Sequence, residues 1–362
     1  MAEKLDFAGR LLAWFDVHGR HDLPWQQEPT AYHVWVSEIM LQQTQVATVI
    51  PYYARFMARF PDVAALAAAP LDDVLHHWSG LGYYARARNL KRAAECILVE
   101  HGGALPDSLD ALCALPGIGR STAGAILSLA FGRRVPILDG NVKRVLTRQR
   151  GIAGWVEDTA VQRELWTLAD ALMPAARAGA YTQAIMDLGA TLCVRRNPEC
   201  GRCPVAADCI ARRDGRQHEI PAPRPKRAVP VKHTRFLVAE RPDGALLLER
   251  RPLAGIWGGL WSFPEFEDDP DASLAKLGLG AALATRELAP FAHTFTHFRL
   301  EIAPLHVSVD GTSATLMDSA NRVWYKVTTP QALGLAAPVA RLITELRETR
   351  RTRRRGTKIT SR

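Results

Sequence analysis

The sequence predicts a multidomain protein, with a mostly helical domain over residues 1–211 and an α+β domain over 233–346. Three observations carry this. Apolar residues recur at helical spacing through the first half, as in Val36, Ile39 and Met40, then Leu71, Val74, Leu75 and Trp78, then Ile126, Leu127 and Leu129. Residues 212–232 hold four prolines and no apolar period, the composition of a linker. Beyond them, 234–240, 245–250 and 291–309 have strand-like composition, and Arg-Pro-Asp-Gly at 241–244 marks a turn between the first two. Val339, Leu342, Ile343 and Leu346 form a last helical stripe after Pro338, followed over 347–362 by a basic tail expected to be disordered.

The 362 residues suffice for two hydrophobic cores, and 48% hydrophobic with 23% charged residues excludes a wholly disordered chain. No apolar run is long enough to span a membrane: 123–131 is stopped by Gly132, Arg133 and Arg134. The N-terminus lacks the profile of a signal peptide, so a cytoplasmic location is expected, at the nucleoid if the source is bacterial. A net charge of +9 and a pI near 9.5 suggest a polyanionic partner. That charge is concentrated: 195–235 and 347–362 each carry +7, leaving −5 elsewhere. Such runs are equally compatible with a solvated linker and tail, so charge alone does not establish nucleic-acid binding.

Two motifs carry chemistry. Leu115-Pro-Gly-Ile-Gly-Arg-Ser-Thr-Ala123 lies between two helical runs, and Gly117 and Gly119 allow a hairpin whose backbone N–H groups face outward as a phosphate site. The alternative is a plain helix–helix turn. Cys193, Cys200, Cys203 and Cys209 are spaced as four metal-ligating thiolates, because a cytosolic chain favours metal over disulfides. One four-iron, four-sulfur cluster suits four thiolates in a compact loop. Zinc is the alternative, although only one Cys-x2-Cys pair is present and His218 is the nearest imidazole. Cys96 and Cys113 sit in apolar helical stretches and read as core residues.

Together with Leu138-Asp-Gly-Asn-Val-Lys-Arg144, these motifs resemble the endonuclease III superfamily of DNA glycosylases. Trp35-Val-Ser-Glu-Ile-Met-Leu-Gln-Gln-Thr44 and Gly80-Leu-Gly-Tyr-Tyr-Ala-Arg-Ala-Arg-Asn89 bring the resemblance to its adenine glycosylase branch, over residues 5–346. It implies a two-lobed, all-α helix-hairpin-helix domain with an iron–sulfur loop over 193–209, then a Nudix-like α+β domain. It also implies a monomeric, monofunctional enzyme acting on duplex DNA that contains 8-oxoguanine:adenine or guanine:adenine mispairs.

Carried over residue by residue, the resemblance makes Glu38 the general acid and Asp139 the group that stabilises an oxocarbenium-like sugar, with Asn141 orienting them. Two carboxyls in different protonation states suit N-glycosidic hydrolysis. Read singly, Glu38 is a solvated helix residue and Asp139 a turn former; the joint pattern reverses this. Ser121 stands where lyase-active relatives place a lysine, and serine cannot form a Schiff base. The resemblance further implies adenine contacts from Trp25 and Gln183, although Gln26 replaces an arginine of another relative. Gln43 and Tyr83 would wedge into the base stack, with Thr44 and Leu81 bordering the partner base. Phe295, Thr296 and His297 match the element that meets 8-oxoguanine, with threonine in place of serine. Arg195, Arg196 and Arg202 would face phosphates. The segment after Phe266 lacks the glutamates of a magnesium-dependent Nudix hydrolase, so this domain should bind and not hydrolyse.

Overall fold

The computed structural model describes residues 6–359 apart from 28, 226–227, 268, 296 and 311–320, with side chains as far as 349. The chain divides into two compact units, Met1–Ala68 with Asn89–Lys226, and Ala69–Arg88 with Arg227–Arg362. The second unit therefore takes in a segment of the helical half as well as everything after the linker.

The first unit is built of helices α1 (Phe7–His18), α2 (Pro24–Gln27), α3 (Ala31–Leu41), α4 (Val46–Arg59) and α5 (Val63–Ala68). After α6 (Leu71–Trp78), which belongs to the second unit, follow α7 (Ala85–Glu100), α8 (Leu109–Ala114), α9 (Arg120–Phe131), α10 (Gly140–Arg150), α11 (Thr159–Leu172), α12 (Ala178–Thr191) and α13 (Ile210–Arg213). Short polar side chains start several of these helices by accepting orphan backbone N–H groups: Asp6 from Gly9, Thr30 from His33, Ser108 from Ala111, and Asp139 from Val142. The central core joins α1, α9, α10, α11 and α12 through Leu11, Ile137, Leu146, Leu165, Ala184 and Leu188. Helix α3 packs along α9, and α10 along α12. The latter approach needs Gly189, where a Cβ would lie 2.6 Å from Asn141 Cβ.

Helix α3 ends at Leu41, because Gln42 leaves helical geometry and Gln43 turns into the left-handed region (φ 58°). One expectation changes locally. Cys113 is exposed and Cys96 half-buried, so neither is a full core residue.

The second unit holds β1 (Val231–Glu240), β2 (Leu246–Arg250), β3 (Trp261–Ser262), β4 (Glu265–Phe266), α14 (Pro270–Lys276), β5 (Ala284–Glu287), β6 (Phe291–Thr294), β7 (Arg299–Ser308), β8 (Arg322–Tyr325) and α15 (Ala337–Ile359). One mixed sheet runs β3-β2-β1-β7-β5, with β4 on β1, β6 on β7 and β8 on β2. Among the described strands, β1 and β7 pair in parallel, from Val231↔Arg299 to Glu240↔Ser308, and the other strand pairs are antiparallel. The single strand-like run at 291–309 is in fact two strands, because Phe295 N–H bonds Phe298 O at 2.9 Å and closes a turn between them. The tail also differs from expectation: α15 continues to Ile359. Arginine and lysine are strong helix formers, and Arg341 pairs with Glu345 one turn on at 2.8 Å. No helix among the described residues is long and apolar enough to cross a membrane.

Candidate active site and thiolate loop

The site is built where α3 and α10 present their carboxyls to each other. Glu38 projects from α3 among buried Val34, Trp35, Ile39 and Met40. Burial, reinforced by the charge of Asp139, pushes its carboxyl up to about 8, so it holds its proton at neutral pH. Asp139 is also raised by burial, but it is far better provided with donors. As the N-cap of α10 it accepts Val142 N–H at 2.7 Å, its other oxygen faces Asn141 Nδ2 at 3.4 Å, and the Arg144 charge favours its anion. Of the two carboxyls, Asp139 alone has backbone and side-chain donors and a neighbouring cation that favour its anion, while Glu38 is pushed up to about 8.

Asn141 is itself held, since its Oδ1 accepts from Arg144 Nη2 at 2.7 Å. The same guanidinium donates to Gly189 O and Cys193 O, both at 2.8 Å. Ser121 stands in the first turn of α9, where its Oγ accepts Leu138 N–H at 3.0 Å and so fixes the residue before Asp139.

Trp25 is buried and meets Tyr53 edge to face at 5.4 Å. Gln183 is buried on α12, and its Nε2 donates to Asp187 Oδ1 at 2.8 Å. Asp187 in turn accepts from Arg20 through its backbone N–H (2.7 Å), Nε (2.9 Å) and Nη2 (2.6 Å). This clamp was not anticipated from sequence, although the i, i+4 spacing of Gln183 and Asp187 carried the signal.

The hairpin forms as expected between α8 and α9. Gly117 adopts φ 79°, and a Cβ there would lie 2.7 Å from Asn89 Cβ. Gly119 faces open space and leaves the first turn of α9 without a side-chain cap.

Cys193, Cys200, Cys203 and Cys209 line one cavity together with Arg148 and Gln149. Among the described residues, no three His, Cys, Asp or Glu side chains close on a point as ligands of one ion do. Four thiols ringing one cavity suit a cube in which each iron takes one thiolate. Burial raises Cys203 to about 12 and Cys209 in the same direction, and the neighbouring thiols add to both. Buried Arg148 donates to Cys193 Sγ at 3.4 Å and to Val194 O at 2.7 Å, tying α10 to the loop. Arg195, Arg196 and Arg202 are exposed, and Arg202 is paired with Glu199 at 2.7 Å.

Gln43 is exposed and Thr44 half-buried in the turn after α3. In the second unit, Tyr83 is exposed with φ 49° and Leu81 is buried. Gln43 and Tyr83 are thus two of the five non-glycine residues with positive φ among the described residues, a costly geometry that concentrates at functional positions. Phe295 stacks on Phe298 at 4.4 Å, and His297 meets Phe298 edge to face at 4.8 Å. Thr296 lies outside the described residues. A further residue, Trp257, also with positive φ (54°), packs on His293 and Phe295 at 5.8 and 5.7 Å. Its loop is held by Arg88, whose Nη1 donates to Gly258 O at 2.6 Å.

Comparison with known proteins agrees with this layout. The model of the HhH-GPD superfamily of base excision DNA repair proteins matches residues 36–171, that of the iron-sulfur binding domain of endonuclease III 193–209, and that of the NUDIX domain 235–345. An adenine DNA glycosylase of Buchnera aphidicola (strain APS) is 38% identical over 341 residues, covering 94% of this chain and 97% of that protein. The human adenine DNA glycosylase is 37% identical, covering 86% of this chain and 68% of that one. Among solved structures, a thermostable thymine-DNA glycosylase superposes with a TM-score of 0.53 at 27% identity, over 57% of this chain and 95% of its own.

Proposed function

The chain belongs to the adenine DNA glycosylase family of base excision repair, and from that premise we propose that it releases adenine mispaired with 8-oxoguanine, and less readily with guanine, in duplex DNA. The observation that carries the reading is the divided carboxyl pair: Glu38 raised to about 8 beside Asp139, which is held by donors.

The target nucleotide leaves the stack before chemistry. Trp25 and Gln183 meet the extruded adenine, and the Asp187 clamp fixes one amide hydrogen of Gln183 so that its carbonyl remains an acceptor for the purine edge. Glu38 gives its proton to adenine N7. The bond between N9 and the sugar C1′ breaks, its electron pair leaves with the base, and the Asp139 carboxylate stabilises the cationic sugar. Water then adds at C1′ and returns a proton to Glu38. Asn141, held by Arg144, keeps Asp139 aligned. Ser121 offers a hydroxyl committed to Leu138 N–H and no amine, which supports a monofunctional enzyme without a Schiff base.

Gln43, Thr44, Leu81 and Tyr83 enter the duplex beside the lesion, and Phe295, Thr296 and His297 read the 8-oxoguanine. Gly117 and Gly119 offer backbone N–H groups to a phosphate, as Arg195, Arg196 and Arg202 offer side chains. The four cysteines hold one 4Fe-4S cluster, which when bound orders the loop over 193–209. The protein acts as a monomer in the cytoplasm, at the nucleoid if the cell is bacterial.

Base-release assays on 8-oxoguanine:adenine, guanine:adenine and 8-oxoguanine:cytosine duplexes test the reading. Free adenine from the first two only is expected. Release of a pyrimidine, or of no base, contradicts it.

A further inference from the structure

Gln149 is 1% exposed, and both its side-chain Nε2 and Oε1 lack a hydrogen-bond partner. Leaving such an amide bare in a dry interior is costly, so a buried pair of this kind points to a partner that the polypeptide itself does not supply. Its position says where that partner lies. On α10, Val145, Arg148 and Gln149 stand at i, i+3 and i+4, on one face of the helix, and all three line the cavity ringed by the four thiols.

The cysteines themselves are already provided for. Cys193 receives Arg148, Cys200 lies 4.0 Å from Gln217 Nε2, Cys203 receives the Val205 N–H, and Cys209 receives those of Ala211 and Arg212. What remains for the Gln149 amide is the sulfide of the group that fills the cavity.

We propose that Gln149 is a positioning residue whose side-chain amide donates to the inorganic sulfur of the cluster and raises its reduction potential. The proposal rests on the cofactor reading above. A donor to sulfur favours the more negative, reduced state, because added electron density on sulfur strengthens the hydrogen bond. Gln149→Leu removes the donor at similar volume, and Gln149→Glu replaces it with an acceptor and a charge.

The test is voltammetry of the intact, cluster-loaded protein with iron and sulfide assayed in parallel. Expected are unchanged iron and sulfide in Gln149→Leu, a midpoint potential shifted negative, and a larger negative shift in Gln149→Glu. An unchanged potential in Gln149→Leu overturns the proposal. Should neither variant load iron, the decisive measurement is made on 15N-glutamine-labelled protein carrying Gln217→Leu, with the cluster brought to a paramagnetic state. A 15N coupling to the cluster spin supports the donor, and its absence overturns it. Wild-type protein purified without oxygen and found free of iron defeats the cofactor reading itself, a different result from an iron-loaded protein of unchanged potential.

Discussion

Two carboxyl sites in the helical unit, one buried and one half-buried, are handled in opposite ways. Asp187, on α12, is 1% exposed and is surrounded by donors: three from Arg20 and one from Gln183. Glu38, on α3, is pushed upward by its burial and by the charge of Asp139. The first arrangement ties Arg20 and Gln183 to one carboxyl. The second keeps a proton ready on a group that would ionise in water. Burial alone thus does not tell a structural carboxyl from the one proposed as general acid; the difference lies in whether cationic donors are supplied with it.

The largest expected effect is on catalysis. Glu38→Gln should lower single-turnover adenine release by roughly 10²–10⁴-fold, the usual contribution of a general acid, while leaving the protein folded. Its melting temperature at pH 7 should rise above that of wild type, since a carboxyl held protonated against its ordinary ionisation is removed. Asp187→Ala should do the reverse in stability, costing roughly 3 kcal/mol as Arg20 loses its partner, measurable by urea denaturation. If both variants lose stability equally, the distinction between the sites fails.

Stability against pH sharpens the same contrast. The Glu38 carboxyl is raised from 4.5 to about 8, so the folded state retains a proton that the unfolded chain releases. Wild-type stability should therefore fall from about pH 4.5 to about pH 8 through this group, and level off above. In Glu38→Gln that slope should vanish, as denaturation midpoints across this range would reveal.

How much of this was legible beforehand differs between the two sites. Glu38 and Asp139 were legible only through the resemblance to the endonuclease III superfamily, whereas the four cysteines were legible from their spacing. The Asp187 clamp was missed because its main partner, Arg20, lies 167 positions away, and only folding brings them together. The helical and α+β halves were clear from periodicity. The grouping of residues 69–88 with the C-terminal unit was not, because Asp72 bonds Arg250 and Trp261 through contacts that leave no periodic trace. The helix through the basic tail was hidden because propensity carries it without an apolar stripe.

Smaller effects concern recognition. Replacing Phe295 and His297 together by alanine should reduce the preference for 8-oxoguanine:adenine over guanine:adenine about tenfold, roughly 1.4 kcal/mol, with little change in release from guanine:adenine. Full retention of the preference would remove these residues from lesion reading. Deleting 347–362 should only flatten the salt dependence of DNA binding, and a lost lesion preference would show that the segment does more.

The most direct test of the divided carboxyl pair is the pH profile of single-turnover adenine release from a saturating guanine:adenine duplex. A protonated Glu38 predicts a rate that declines above about pH 8 as the acid is lost. A rate that instead climbs through the ordinary carboxylate range and stays level beyond pH 9 would mean that Glu38 works as an anion, and would contradict the account.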